Sequence, residues 1–88
     1  MYELIIKNYI NNLTKNDIVY FALKNNITLN DQEVDYVYKN IKCNYKVLLS
    51  DNYECLFKEA RCYLKDENYQ KIYNLFLEYR NKFKKFLN

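Results

Sequence analysis

Residues 14–42 read TKNDIVYFALKNNITLNDQEVDYVYKNIK, and their reading decides the fold. Thr14 and Asp17 stand three apart ahead of an apolar block, Ile18, Val19, Phe21, Ala22 and Leu23. A hydroxyl that accepts the amide three residues on, answered by a carboxylate that reaches back, is a capping box and starts a helix. Asn25-Asn26 ends that helix, since Asn tolerates left-handed backbone next best after Gly. Asn30-Asp31-Gln32-Glu33 repeats the box, with Leu29 placed to staple onto Val34. Val34, Val37, Tyr38 and Ile41 then recur at helical spacing. Two capped helices, 15–25 and 31–42, joined through Ile27-Thr28-Leu29, predict an αα-hairpin.

The flanking stretches carry the same period. Tyr2, Ile5, Ile6, Tyr9, Ile10 and Leu13 form one helical stripe, which Asn11-Asn12 closes as a left-handed cap. Cys43 to Ser50 contains the run Val47-Leu48-Leu49, too short and uniformly apolar to assign by period, and reads as a buried linker. Ser50 or Asp51 then caps a fourth helix, with Glu54 completing the box and Tyr53, Leu56, Phe57, Ala60, Tyr63 and Leu64 as its stripe. Asp66 is the expected cap of the last and longest helix, about 67–87. Along it, Tyr69, Ile72, Phe76, Tyr79, Phe83 and Phe86 are spaced as a heptad seam. That seam either packs within the chain or is shared with another.

The expected fold is therefore all-α. Four to five helices form one compact bundle over residues 1–88, around Ile6, Ile10, Phe21, Val37, Ile41, Leu56, Ala60, Ile72 and Phe76. Eighty-eight residues suit one small core and not two domains.

Composition narrows the chemistry. There is no Gly and no His. Phosphate-cradling loops, nucleophile elbows, Ser-His or Cys-His pairs and His-containing zinc sites are thereby excluded. Absent Gly and Pro also remove the usual hairpin turns of a β fold. Asn, Lys, Tyr and Ile make up half the chain, an A/T-rich codon bias that leaves tyrosine standing in for Leu or Phe. Cys43, Cys55 and Cys62 include no C-x-x-C and read as free, mostly buried thiols in a reducing cytoplasm. No signal peptide and no transmembrane run are evident. No cofactor, metal or small-molecule substrate is expected. Asp31, Glu33 and Asp35 fall in a first helical turn, where acids serve capping and the helix dipole rather than catalysis.

The net charge of +3 lies wholly in residues 78–88, where Glu78 faces Arg80, Lys82, Lys84 and Lys85. Cations at a helix C-terminus offset the macrodipole. The same residues, interleaved with Phe83, Phe86 and Leu87, are the candidate contacts for weak, sequence-tolerant nucleic-acid binding. Major-groove reading by the hairpin is disfavoured, because the second helix would bring Asp31, Glu33 and Asp35 toward phosphates.

The order of features also carries a resemblance. A short amphipathic helix is followed by Leu13-Thr14 opening a helix with Ala22. Ile27-Thr28-Leu29 leads into an acidic-start helix ending at Ile41. A capped helix through Leu56 and Ala60 follows, and then Tyr73-Asn74-Leu75-Phe76. This arrangement, over about residues 3–80, resembles the YqfT-like family of small helical proteins of unknown function from low-GC Gram-positive bacteria. The resemblance implies a cytosolic, all-helical bacterial protein and carries no catalytic or binding residue with it. The chain departs from the pattern in its Gly-free turns and its basic, Phe-rich end. The functional expectation is a non-enzymatic module that binds a protein partner or itself, with nucleic-acid binding through the C-terminal helix as the alternative.

Overall fold

The computed structural model describes the backbone of residues 2–87 and the side chains of residues 4–82. Five helices follow one another: α1 (Tyr2–Asn11), α2 (Lys15–Lys24), α3 (Asp31–Leu49), α4 (Glu54–Ala60) and α5 (Asp66–Leu87). No strand occurs among the described residues. The chain is an all-α bundle with a radius of gyration of 12.7 Å.

Both capping boxes of the hairpin form. The Thr14 hydroxyl accepts from the Asp17 amide at 3.2 Å, and the Asp17 carboxylate accepts from the Thr14 amide at 2.9 Å. Asn30 and Glu33 exchange the same pair at 2.8 and 3.1 Å. The turn between α2 and α3 has a single left-handed residue, Asn26, with φ of 63°. The Asn26 amide donates to the Leu23 carbonyl at 3.1 Å and the Ile27 amide to the Ala22 carbonyl at 2.8 Å. This is a Schellman motif, with buried Ile27 following the left-handed position. A Cβ in that conformation costs about 1–2 kcal/mol, which Asn tolerates through local hydrogen bonding. Asn26→Ala is accordingly expected to lower stability by about 1 kcal/mol, and Asn26→Gly to leave it unchanged or higher, by denaturant titration. Asn11-Asn12 closes α1 differently from expectation. Asn26 is the only described non-glycine residue with positive φ, and Asn12 instead folds its side-chain amide back onto the Asn8 carbonyl at 3.0 Å.

Two further expectations are corrected. Residues 43–49 are not a linker but the continuation of α3 beyond a kink at Asn44 (φ −124°, ψ 19°). Ile41, Tyr45 and Leu48 prolong the helical stripe, all half-buried, and Leu48 packs with the Phe57 cluster. Neither Ser50 nor Asp51 caps α4. The Ser50 hydroxyl donates to the Val47 carbonyl at 2.7 Å and accepts from the Asn52 amide, while Asp51 pairs with Arg80. Helix α4 begins after a turn and has no side-chain cap.

The core has two centres. Leu13, Ile18 and Val34 knit α2 to α3, with Leu29, Val37 and Ile41 packed around them. Phe57, Ala60, Leu64 and Tyr69 knit α4 to α5, with Val37, Leu48, Ile72 and Phe76 around them. Val37 touches both. Phe57 is the aromatic hub, its ring 4.8 to 6.3 Å from those of Tyr53, Tyr69, Tyr73 and Phe76. Of the nine expected core residues, Ile10 and Ala60 are buried and most others are half-buried, but Phe21 is 41% exposed.

A Gly-free chain must close its helix C-termini by other means. Here cations from neighbouring helices do so. Lys42 of α3 donates to the Asn11 carbonyl at 2.8 Å, and Lys71 of α5 to the Asn26 carbonyl at 3.1 Å. Arg80 of α5 donates to the carbonyls of Leu48 and Ser50 at 3.2 and 2.8 Å. Each contact satisfies acceptors orphaned at a helix end and sets a cation against the negative pole of the dipole.

Candidate interaction surface and central hollow

The polar centre of the molecule is Glu33, 1% exposed. One carboxylate oxygen accepts from the Asn30 amide and the other from the Lys65 amide at 3.0 Å. Lys65 precedes α5, and its carbonyl accepts the Tyr69 amide. Glu33 thus gives α5 the reach-back half of a capping box from another helix. Asn68, in the first turn of α5, donates to both Glu33 oxygens at 3.1 Å and to the Thr28 carbonyl at 2.9 Å. Asp66, expected as the cap of α5, instead begins the helix. Burial pushes the Glu33 carboxyl up, but the Lys65 and Asn30 amides and the Asn68 side chain outweigh it, and the pKa lies below the ordinary value. These donors hold the carboxylate in its ionised form.

Arg80, the first of the basic candidates, is turned inward, its side chain 15% exposed. Besides the two carbonyls it meets Asp51 at 2.6 Å, and its guanidinium lies 4.6 Å from the centre of the Tyr53 ring. Lys82 is exposed, 3.7 Å from Glu78 and over the Tyr79 ring. The side chains of Lys84 and Lys85 lie outside the described residues. The structure therefore does not assemble Arg80 with Lys82 into one open basic patch.

The seam candidates divide in the same way. Ile72 and Phe76 pack against the Phe57 cluster within the chain. Tyr79 is 37% exposed and its ring sits 5.5 Å from that of Phe21. Phe83 and Phe86 have side chains outside the described residues.

Open apolar surface lies elsewhere, on α2. Val19, Tyr20 and Leu23 are 38%, 70% and 58% exposed and share the side of α2 away from buried Ile18 and Ala22. Phe21, on the other flank of α2, is 41% exposed and packs against Tyr79 of α5. On α1, Leu4, Ile5 and Tyr9 are exposed too, although the stripe predicted Ile5 and Tyr9 inside. Sequence reasoning did not separate the inward and outward apolar residues of α2 and named only Phe21 of that helix for the core. Two faces of one ten-residue helix cannot both point inward.

Between α2, α3, α4 and α5 is an apolar hollow of about 300 Å³. Ala22, Val37, Leu56, Ile72, Leu75 and Phe76 contribute to its wall, and Phe21 and Tyr79 are its exposed lining residues. Tyr36 belongs to the wall, stacked on Tyr63 at 4.5 Å. Its hydroxyl is buried and has no hydrogen-bond partner among the described residues. Burial, and then the charge of Glu59, raise its pKa, against a smaller lowering by the Asn40 side chain.

The three cysteines are free and exposed, against the expectation of burial. The buried positions near them are held by other side chains, half-buried Ile41 and Tyr45 beside Cys43 and buried Phe57 beside Cys55. No group of three metal-ligating side chains comes together among the described residues. No described helix is long and apolar enough to cross a membrane. No family model matches the chain, and no curated protein or solved structure matches it either.

Proposed function

We propose that the chain is a non-enzymatic interaction module that binds a protein partner or a second copy of itself. The observation that carries this reading is the open α2 face, where Val19, Tyr20 and Leu23 stand in solvent. Apolar side chains grouped on one face of a helix mark association surfaces more often than scattered ones do. The buried carboxylate is spent on capping, which supports a binding role over a catalytic one. Exposed free thiols suit a reducing compartment, and we place the protein in the bacterial cytoplasm. Kinship with the YqfT-like proteins belongs to the same proposal and rests on the order and capping of the helices.

Leu23→Glu and Tyr20→Glu test it. Both positions are exposed, so folding stability is expected to change by less than about 0.5 kcal/mol. Association, followed by sedimentation velocity over a concentration series and by capture on immobilised protein, is expected to fall at least tenfold. A wild-type chain that stays monomeric, and captures the same proteins as Leu23→Glu, would overturn the reading.

A further inference from the structure

We propose that the groove between α1 and the C-terminal half of α3 is a docking site for an acidic amphipathic helix of a protein partner. The two helices run antiparallel there. The Asn11 end of α1 meets Lys42, and the Leu4 end meets Tyr45 and Leu49. Between them is an open groove of about 670 Å³, with Leu4, Ile6, Tyr45 and Leu49 as its apolar lining and Lys7 and Lys46 as its cations. It shares no residue with the α2 face, and the proposal does not rest on that face.

Charge selects the occupant. Residues 4–13 and 36–50 hold Lys7, Lys39, Lys42 and Lys46 and no acid. Lys39, Lys42 and Lys46 stand three and four apart, so they share one stripe of α3, on the side that meets α1. Counted along the chain, these lysines are offset by acids of neighbouring segments. In the fold Asp35 pairs with Lys15 at 2.7 Å, Asp17 caps α2 and Glu33 is buried. The side chain of Glu3 lies outside the described residues. Lys42 donates to the Asn11 carbonyl, yet its charge stays on this face. Lys7, Lys39 and Lys46 pair with no carboxylate among the described residues.

Shape narrows the choice further. Ile6 and Tyr45 are half-buried, recessed between the more exposed Leu4, Lys7, Lys46 and Leu49. A flat bilayer surface does not reach recessed side chains. A nucleic-acid backbone has no apolar group to fill the space between the lysines. An amphipathic helix does both. Its apolar stripe fills the groove as a third helix does in a bundle, and acids on its flanks meet the lysines. No strand edge exists among the described residues, so strand addition is not open to a partner.

The test begins with a displayed library of helical peptides of about fifteen residues, selected on the full chain. Enriched peptides are expected to carry apolar residues at i, i+3 or i+4 and i+7, flanked by Glu or Asp. The best of them, titrated by calorimetry, should bind one per chain and at least tenfold more tightly than its scrambled sequence. Raising salt from about 0.05 to 0.3 M should weaken it at least fivefold. Lys7→Glu and Lys46→Glu, both at exposed positions, should each weaken it about tenfold with the melting temperature unchanged. Leu4→Asn should weaken it about fivefold through the apolar half of the contact. Leu23→Glu should leave the affinity unchanged, which separates this site from the α2 face. Vesicles of phosphatidylglycerol and a duplex RNA complete the panel. No enrichment, enrichment without acids, or an affinity indifferent to Lys7→Glu and Lys46→Glu would overturn the site. Loss on Leu23→Glu instead would move the peptide to α2 and overturn it as well. Tighter binding to the vesicles or the RNA, abolished by the same lysine variants, would make this a lipid or nucleic-acid surface and overturn the protein partner.

Discussion

Replacing Glu33 with alanine is expected to lower the unfolding free energy by about 3–4 kcal/mol, the largest loss of any single substitution considered for this chain. The carboxylate is 1% exposed and holds the Asn30 amide, the Lys65 amide and the Asn68 side chain. Alanine would remove the acceptor of the Asn30 and Lys65 amides and leave buried Asn68 with the Thr28 carbonyl alone, a lost hydrogen bond to a charged group contributing about 1.5–3 kcal/mol. For a domain of this size the melting temperature should fall by roughly 15–25 °C. Glu33→Gln keeps the shape and one acceptor but turns an NH₂ group toward a donor, so it should recover only part of the loss. The pH dependence has a definite sign. The folded pKa lies below the unfolded one. The stabilisation is therefore complete above the ordinary carboxyl value of 4.5 and is lost as pH falls through the folded value. Thermal melts at pH 7, 5, 4 and 3 should show wild type and Glu33→Gln far apart at neutral pH and converging in acid. A constant gap between them would mean that the charge of Glu33 does not stabilise the fold.

Glu33 also marks where the sequence stops being readable. Its local role, reaching back to Asn30, follows from spacing alone, and so do the Thr14 box and the hairpin. These are interactions over three residues, and the chain writes them out in order. The reach from Glu33 to Lys65 spans thirty-two positions, and no periodicity carries it. The extension of α3 was legible, because Ile41, Tyr45 and Leu48 keep the stripe, but the Val47-Leu48-Leu49 run hides it. The α2 surface was not, since apolar residues on both faces of a helix leave the inward face undetermined until neighbours are placed. The seam along α5 illustrates the same limit. Its spacing is real, yet whether Ile72 and Phe76 face kin or a partner depends on Phe57, which the sequence gives no way to place.

Arg80 shows how far charge alone misleads, and it supplies the second large expected effect. By composition it belongs to the basic end. By position it closes α3, donating to Leu48 and Ser50 and stacking on Tyr53, with Asp51 the one opposite charge paired with it among the described residues. Asp51 is 93% exposed, so its ion pair contributes at most about 1 kcal/mol. The carbonyl contacts are the stronger part, because hydrogen bonds to a charged donor contribute about 1.5–3 kcal/mol. Arg80→Ala is therefore expected to cost about 2–3 kcal/mol and Asp51→Ala less than about 1, by urea unfolding. Arg80→Lys should recover less than half, since one ammonium cannot lie flat on Tyr53 and meet both carbonyls as a guanidinium does. Equal losses for Arg80→Ala and Asp51→Ala would make the ion pair dominant instead. A loss below about 0.5 kcal/mol for Arg80→Ala would return this side chain to the basic surface. With the expected result, the charge of Arg80 belongs to the fold. Any polyanion at this end would then have to be held by the lysines beyond it, or would have to unseat the C-terminus of α3 to reach the arginine.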